Sequence, residues 1–271
     1  MNKILKHKNT IDNVENTPLI LITNDDGFEA GGLEALVEAA KDFGEIVVIT
    51  PDGHRSGMGH AITMNVPLRV KLYKTENGIN YYRSNGTSVD CVKLGQRVVL
   101  GDRKIDLLLS GINHGSNSSV SIIYSGTMAA AIEASFEGIP AIGFSLLDYS
   151  SKADFSAAVV YAKQIIENVL QNGLPKHICL NVNIPKLPLE EIKGIRITRQ
   201  TLGYWHEDLE EHTDPFGGKY YWLAGFLVNL EQEASDTCEW ALHHGYVAVT
   251  PVHFDMTSHQ TINKLKHWEN D

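Results

Sequence analysis

Cysteine is scarce in this 271-residue chain, with only Cys91, Cys179 and Cys238 present. An odd number of widely spaced cysteines, with no C-x-x-C pair, argues against a disulfide framework and against a zinc knot. We therefore expect a reducing compartment and a cytoplasmic protein. Long apolar runs are also lacking, since none approaches the roughly 18 residues that a membrane span requires. Residues 1–16 are polar without an apolar h-region, which predicts a flexible leader and no signal peptide.

Positive charge is in deficit, because 23 lysine and arginine residues face 33 aspartate and glutamate residues, for a formal net charge of −10. Proteins that bind nucleic-acid polymers present a broad basic face, so we expect no such partner and no membrane partner. The charge remains compatible with one small anion held by a metal ion or by backbone amides.

Several catalytic fingerprints are missing as well. The sequence has no G-x-x-x-x-G-K-[ST], no G-x-G-x-x-G after a strand and no G-x-S-x-G, which disfavours P-loop, dinucleotide and serine-hydrolase sites. Its 12 histidines show neither H-x-x-x-H nor H-E-x-x-H spacing. A metal site built from histidines is therefore disfavoured too.

What is present is an alternation of apolar strands and helical segments. Helical patterns begin near Gly31, at the capping-box pair Thr87 and Asp90, and at residues 125–127. A fourth helical pattern lies within residues 153–172. Continuous apolar strands are typical of a parallel sheet that is covered on both faces. The sequence thus predicts an α/β fold with a mostly parallel sheet and helices on both faces. The predicted core strands are LILIT, EIVVIT, IDLLLSG, IPAIGFSL and HICLNVNIP.

The character of the chain changes after Pro185. IKGIRITRQ and YYWLAGFLVNL predict longer, partly exposed strands, and GYVAVTPVHFD predicts a buried strand. We expect an α/β core with the active site at residues 17–185. Residues 186–271 should form a C-terminal extension, with a β-rich oligomerisation arm and a strand that returns to the core. Composition alone leaves open whether the arm instead folds back onto its own core as a hairpin.

Ligands of open parallel sheets bind outside the carboxyl ends of the strands, so the loops there are the candidate site. Asp25 and Asp26 end the first strand, where two adjacent carboxylates repel each other unless a cation lies between them. Their oxygens suit a hard ion such as Mg²⁺, Mn²⁺ or Ca²⁺. The alternative is a simple tight turn, because Asp-Gly is a favoured turn dipeptide.

Other loop residues are weaker candidates taken singly. Ser56 and Asn113 are each more typical of loop-capping side chains than of ligands, and residues 54–55 face either an anion or solvent. His114 is a candidate acid or base, or an exposed loop histidine. The helix that begins at residues 125–127 offers free N–H groups to a phosphate, or has an ordinary N-cap.

Taken together, the motifs resemble a known family. LITNDDGFEAGGLEAL, PDGHRSGMGHAIT, GTSVDCVKLG, DLLLSGINHGSN and YSGTMAAAIEASFEGIPAIGFS occur in the order seen in the SurE family (survival protein E, 5′-nucleotidases). Three later segments resemble the C-terminal half of that family: TRQ (198–200), DPFGGKYYWLAG (214–225) and GYVAVTP (245–251). The resemblance spans about Pro18 to Asp255.

This resemblance implies a metal-dependent phosphohydrolase that acts on nucleoside 5′-monophosphates. It implies a Rossmann-like core with a C-terminal arm exchanged between subunits, hence a homodimer or homotetramer. One divalent cation per subunit, Mg²⁺ or Mn²⁺, would be bound by Asp25, Asp26, Ser56 and Asn113. Catalytic roles are expected for Asp25, Asp26 and Asn113. Substrate contacts are expected from Ser56, Gly57, Ser125, Gly126 and Thr127.

A metal-activated water is the expected nucleophile, with Asp25 or Asp26 accepting its proton. Two alternatives stay open. A phosphatase with an aspartyl-phosphate intermediate normally uses a D-x-D pair, whereas the carboxylates here are adjacent. A nucleotide- or metal-binding module without turnover is the other alternative, which retention of all four expected ligands disfavours.

Overall fold

A computed structural model describes residues 17–269, so the leader predicted at residues 1–16 lies outside the described residues. The described chain forms eleven strands and six α-helices. The strands are β1 (Leu19–Thr23), β2 (Glu45–Pro51), β3 (Val70–Glu76), β4 (Ile79–Ser84), β5 (Leu107–His114), β6 (Ala141–Leu146), β7 (Ile178–Ile184), β8 (Ile195–Ile197), β9 (Gly203–Thr213), β10 (Lys219–Asn229) and β11 (Val247–His253). The helices are α1 (Gly31–Ala40), α2 (Ser88–Leu94), α3 (Gly126–Phe136), α4 (Ser156–Asn172), α5 (Cys238–His243) and α6 (His259–Leu265).

Nine strands form one central sheet, in the order β3-β4-β2-β1-β5-β6-β7-β11-β8. The run from β4 to β7 is parallel throughout, and β8 is parallel to β11. Only the pairs β3–β4 and β7–β11 are antiparallel within this sheet. The predicted α/β fold with a mostly parallel sheet is therefore confirmed.

Strand β1 shows why the sequence folds this way. Ile20 and Ile22 pack into one apolar cluster with α1 and α4, while Leu19 and Leu21 pack into a second cluster with α2 and α3. Both faces of the strand are covered, and every residue of it is buried. A strand with two buried faces needs apolar side chains at successive positions, which is the pattern of LILIT.

The structure contains one hairpin that the sequence did not predict and shortens one predicted strand. The hairpin β3–β4 was not predicted, because its strands are partly or fully exposed and carry no continuous apolar run. IKGIRITRQ was expected to be a longer strand, but β8 spans only three residues. It ends there because Arg199 turns away to pair with Thr237 and its N–H donates to the carbonyl of Asp236.

The C-terminal region contributes both to the sheet and to a separate hairpin. Strand β11 returns to the central sheet between β7 and β8, as expected for GYVAVTPVHFD, although only its first four residues are buried. Strands β9 and β10 form a two-stranded antiparallel sheet of their own. The C-terminal β-rich arm is thus present, while the division of the chain at residue 185 stays a prediction.

Within residues 17–269, no helix combines the length and the apolar character that a membrane crossing requires. All three cysteines are buried, and each carries a free thiol.

Candidate active site

The carboxyl ends of β2, β1 and β5 lie side by side, and their loops form an open cleft of about 650 Å³. Asp25 reaches the cleft from the end of β1, Ser56 from the loop after β2, and Asn113 from the end of β5. The backbone N–H of Arg55 donates to the carbonyl of Asp25 at 2.7 Å, which ties the first two loops together. Three of the four predicted metal ligands therefore line one cavity.

Asp25 is a buried carboxylate, only 4% exposed. Burial raises its pKa from 3.8 to about 6, because removal from water penalises the charged form. The Thr127 hydroxyl donates to Oδ1 at 2.6 Å and opposes that shift. The negative charge of Asp26 raises the pKa further. The predicted repulsion within the Asp pair is real, but burial contributes more.

The start of helix α3 holds the Asp25 side chain in place. A Cβ atom on Gly126 would lie 2.7 Å from Oδ2 of Asp25 and 2.8 Å from its Cβ, so only glycine allows this approach. A backbone hydrogen bond from Gly126 also lowers the pKa of Asp25. The helix N-terminus that the sequence offered to a phosphate is thus occupied by the carboxylate of Asp25.

The five predicted substrate-binding residues divide into two groups. Ser56, Gly57 and Ser125 line the cleft, whereas Gly126 and Thr127 are buried behind Asp25. Ser125 also acts as the N-cap of α3, since its Oγ accepts from the N–H of Met128 at 3.0 Å. The ordinary N-cap is therefore present, while contact of Ser125 with a phosphate stays a prediction.

Asp26 differs from Asp25 in its surroundings. Its side chain is 11% exposed, and its Oδ1 lies 3.9 Å from Nδ1 of the exposed His54. Asp26 is not part of the cleft lining. The turn expected of this segment is also present, because Asn24 bonds Gly27 through both its amide nitrogen and its Oδ1. Residues 24–27 therefore form a turn and also carry the candidate ligands Asp25 and Asp26.

Asn113 presents a single kind of atom to the cleft. Its Nδ2 donates to the carbonyls of His114 and Gly115, at 3.2 and 2.9 Å, so Oδ1 remains as the available group. The register between β5 and β6 shifts just before Asn113, an irregularity that re-aims side chains near active sites. Gly111 makes this possible, since a Cβ there would lie 2.4 Å from the carbonyl oxygen of Phe144.

A buried polar network supports the loop that follows Asn113. Asn117 donates from Nδ2 to Oγ of Ser145 at 2.8 Å and from its backbone N–H to Oδ1 of Asn183 at 2.9 Å. Asn181 donates to the carbonyl of Asn117 at 2.8 Å. These bonds connect the loop to β6 and β7 and fix it relative to the sheet.

The hairpin β9–β10 covers part of the cleft, which the sequence did not predict. Trp205, Glu207 and Leu223 line it, and the Trp205 indole N–H donates to Ser121 Oγ at 3.2 Å. Tyr149 lines the same cleft beside Gly115. No local motif marks these residues, because their position depends on how the hairpin folds back.

The remaining candidates fall on either side of the cleft boundary. His114 lines the cleft, and its Nδ1 lies 3.0 Å from the carbonyl of Ser150. Arg55 turns away from the cleft and donates to Asp52 Oδ1 and to the carbonyl of Asn85, at 3.1 and 3.2 Å. Arg55 is thus a structural link between loops.

The charge of the cleft fits a divalent cation. Its lining includes the carboxylates of Asp25 and Glu207 but no lysine or arginine. A buried carboxylate beside a free amide oxygen and a serine hydroxyl is an all-oxygen donor set, which hard ions prefer. Across the described residues, no cluster of three or more His, Cys, Asp or Glu side chains is placed to hold a metal. The donor set therefore depends on Ser56 and Asn113 as well as on Asp25.

Comparison with known proteins gives a consistent result. The family model described as Survival protein SurE matches residues 20–207. A protein of Christiangramia forsetii named 5′-nucleotidase SurE is 52% identical over 253 residues, covering 93% of this chain and 96% of that protein. A Flavobacterium psychrophilum protein of the same name is 51% identical, covering 93% and 98%. The crystal structure of the SurE protein from Aquifex aeolicus aligns with a TM-score of 0.80 at 40% identity, covering 93% of this chain and 100% of that one.

Proposed function

The chain belongs to the SurE family, and we propose that its cleft is the active site of a 5′-nucleotidase that releases phosphate from nucleoside 5′-monophosphates. The activity follows from relatives of about half-identical sequence that carry this name over nearly the whole chain. The observation that carries the site assignment is a buried carboxylate in a cleft whose lining contains no lysine or arginine.

A phosphate ester brings negative charge into this cleft, so the site needs an exchangeable positive charge. The oxygen donors are supplied by Asp25, Ser56 and Asn113. Asp26, the residue after Asp25, is the fourth expected ligand. A divalent cation bound by these residues, Mg²⁺ or Mn²⁺ and one per subunit, would neutralise the phosphoryl oxygens and lower the pKa of water.

The chain's own residues orient the reaction. Asp25 lines the cleft, so its carboxylate is placed to accept a proton from an attacking water. Thr127 holds Oδ1 in place through its hydroxyl hydrogen bond. Ser56 and Ser125 offer hydroxyl groups, and Gly57 offers its backbone, to the phosphoryl oxygens. The hairpin side of the cleft, with Trp205, gives room for the nucleoside.

The cellular setting is inferred from other features. We infer a reducing compartment, the cytoplasm, because all three cysteines are buried free thiols, whereas proteins of oxidising compartments commonly carry disulfides. We expect a homodimer or homotetramer assembled through β9–β10, because that hairpin exposes large apolar side chains such as Trp222 and Phe226.

The test is phosphate release from a panel of substrates with and without added Mg²⁺ or Mn²⁺. The panel contains nucleoside 5′-monophosphates, the matching 3′-monophosphates and a simple aryl phosphate. We expect turnover of the 5′-monophosphates that chelation abolishes and metal restores. Undiminished turnover after chelation, or a trapped phosphoenzyme, would contradict the proposal, and binding without turnover would favour the binding-module alternative.

A further inference from the structure

A second concave site lies on the hairpin β3–β4, beside the loop that carries Ser56. It has a volume of about 350 Å³, and its lining contains three basic side chains, those of Arg69, Lys71 and Arg83. In a chain with a formal net charge of −10, three cations in one pocket stand out. None of them forms an ion pair within 4.0 Å with any residue in the range 17–269.

The register of the hairpin brings two of these charges together. Lys71 on β3 is the direct cross-strand partner of Arg83 on β4. Arg69, just before β3, lines the same pocket. Like charges directly opposite each other destabilise an antiparallel pair. An anion between them would turn this repulsion into attraction.

Arg83 is also held in a fixed position. Its guanidinium carbon lies 4.1 Å from the ring centroid of Phe28 and 3.6 Å from that of Tyr73. Stacking on aromatic faces leaves the N–H donors in the guanidinium plane free and orders a side chain that is otherwise flexible. Because the Arg83 side chain is already ordered in the folded protein, it loses little further conformational entropy when a ligand binds.

The acidic residue in the pocket is already paired. Asp52 lines the pocket, but its Oδ1 accepts from the Arg55 guanidinium at 3.1 Å. Arg55 also donates to the carbonyl of Asn85, another lining residue, at 3.2 Å. The carboxylate of Asp52 is thereby compensated by a cation outside the basic trio, which keeps the balance of the pocket positive.

We propose that this pocket, formed by Arg69, Lys71 and Arg83, binds a phosphoryl-bearing anion at a site separate from the catalytic cleft. The three cations provide charge-assisted donors, and the guanidinium fork of Arg83 matches the oxygens of a phosphate group. Strand β3 is the edge of the sheet, and lysines on edge strands discourage unwanted pairing. That role accounts for Lys71 but not for Arg83, which lies on the inner strand β4.

Inorganic phosphate is the probe, titrated calorimetrically into the metal-depleted full-length protein at low ionic strength. We expect Lys71→Gln and Arg69→Gln each to weaken phosphate binding roughly tenfold, the effect of one lost charge-assisted contact. Lys176→Gln is the matched control, since Lys176 is an exposed lysine just before β7, in the other half of the sheet from the hairpin β3–β4. It should bind phosphate as the unaltered protein does.

Ser56→Ala separates this site from the catalytic cleft, because Ser56 lines only the latter. Phosphate binding by the Ser56→Ala protein should be unchanged, and Lys71→Gln should keep its turnover of nucleoside monophosphates. Loss of binding in Ser56→Ala, equal binding in Lys71→Gln and the control, or no binding at millimolar phosphate would overturn the proposal. Because the readout is binding without metal, its failure is distinct from failure of the nucleotidase assignment.

Discussion

Asp25 is the residue on which the catalytic proposal depends, and its environment works against its own charge. It is buried at the end of β1. Its pKa is about 6 because burial raises the pKa by more than the hydrogen bonds from Thr127 and Gly126 lower it. A protein that keeps such a carboxylate sacrifices stability for a functional site. Two predictions follow at the scale of single side chains.

The first concerns the stability of the metal-depleted protein. The folded-state pKa of Asp25, about 6, lies above the unfolded value of 3.8, so the folded state binds the proton more tightly. The contribution of Asp25 to stability is therefore full below pH 4 and is lost as the pH rises through 6. Urea unfolding with chelator should show the free energy of unfolding of Asp25→Asn gaining about 2–3 kcal/mol on the unaltered protein between pH 4 and pH 7.5. A difference that does not change with pH would contradict this explanation.

The second concerns Thr127, whose hydroxyl donates to Asp25 Oδ1. Thr127→Val removes that donor at nearly constant volume, so the pKa of Asp25 should rise further. In the metal-depleted protein, an NMR titration of the Asp25 carboxyl should therefore show this pKa about one unit higher than in the unaltered protein. Thr250→Val is the control, because Thr250 is a buried threonine that bonds Thr198 at 2.8 Å in another part of the sheet. It should cost stability without changing the pKa of Asp25, and an equal rise of that pKa in both variants would rule out a specific role for the Thr127 hydroxyl.

At the level of secondary structure, the site is formed by the N-terminus of helix α3 and the carboxyl ends of strands β1, β2 and β5. Strands β1, β2 and β5 and helix α3 were predicted because their apolar patterns and cap are local features of the sequence. The position of Asp25, Ser56 and Asn113 in one cleft was predictable, because the carboxyl ends of adjacent parallel strands lie at the same edge of a sheet. The contact of α3 with Asp25 was not predictable, since it depends on how the helix packs across the sheet.

The hairpin β3–β4 shows the opposite case. Its exposed strands lack the continuous apolar runs that identified the core. A signal was nevertheless available in Asn77-Gly78, where both residues have positive φ, of 51° and 79°. An Asn-Gly pair between two strand-like segments predicts a two-residue hairpin turn. The basic pocket could not be predicted without that hairpin and its register.

The contact between α3 and Asp25 makes Gly126→Ala the decisive change at this scale. The added methyl would lie within 2.8 Å of two Asp25 atoms and should displace the carboxylate, which lowers kcat at least tenfold. Gly31→Ala is matched, because Gly31 also begins a helix and its methyl would meet only a Phe155 ring atom at 3.8 Å. That control should retain activity. Equal rates in the two alanine variants would show that the close contact is dispensable.

At the scale of the whole molecule, the hairpin β9–β10 connects catalysis with assembly. Trp205 and Glu207 line the cleft, while Trp222 and Phe226 are 64% and 61% exposed on alternate positions of β10. Side chains two or four residues apart on a strand share a face, so these two form an outward apolar surface. The sequence predicted a β-rich oligomerisation arm, but not that part of it would cover the active site.

The exposed surface of β10 predicts an oligomer. The double variant Trp222→Glu/Phe226→Glu should shift the mass measured by light scattering after size exclusion from a dimer or larger assembly to the monomer, because it places charge in an apolar interface. Val98→Glu, at a 62% exposed apolar position outside the hairpin, should leave the mass unchanged. A monomeric mass for the unaltered protein at micromolar concentration would contradict the assembly through this arm.

We propose that the cleft at the ends of β1, β2 and β5 binds one divalent cation through Asp25. The most direct measurement is a titration of the metal-depleted protein with Mn²⁺, in which electron paramagnetic resonance reports the free ion. The unaltered protein should bind one Mn²⁺ per chain, and Asp25→Asn should bind it at least tenfold more weakly while unfolding at the same or a higher temperature. Equally tight binding by the unaltered protein and by Asp25→Asn would contradict the claim.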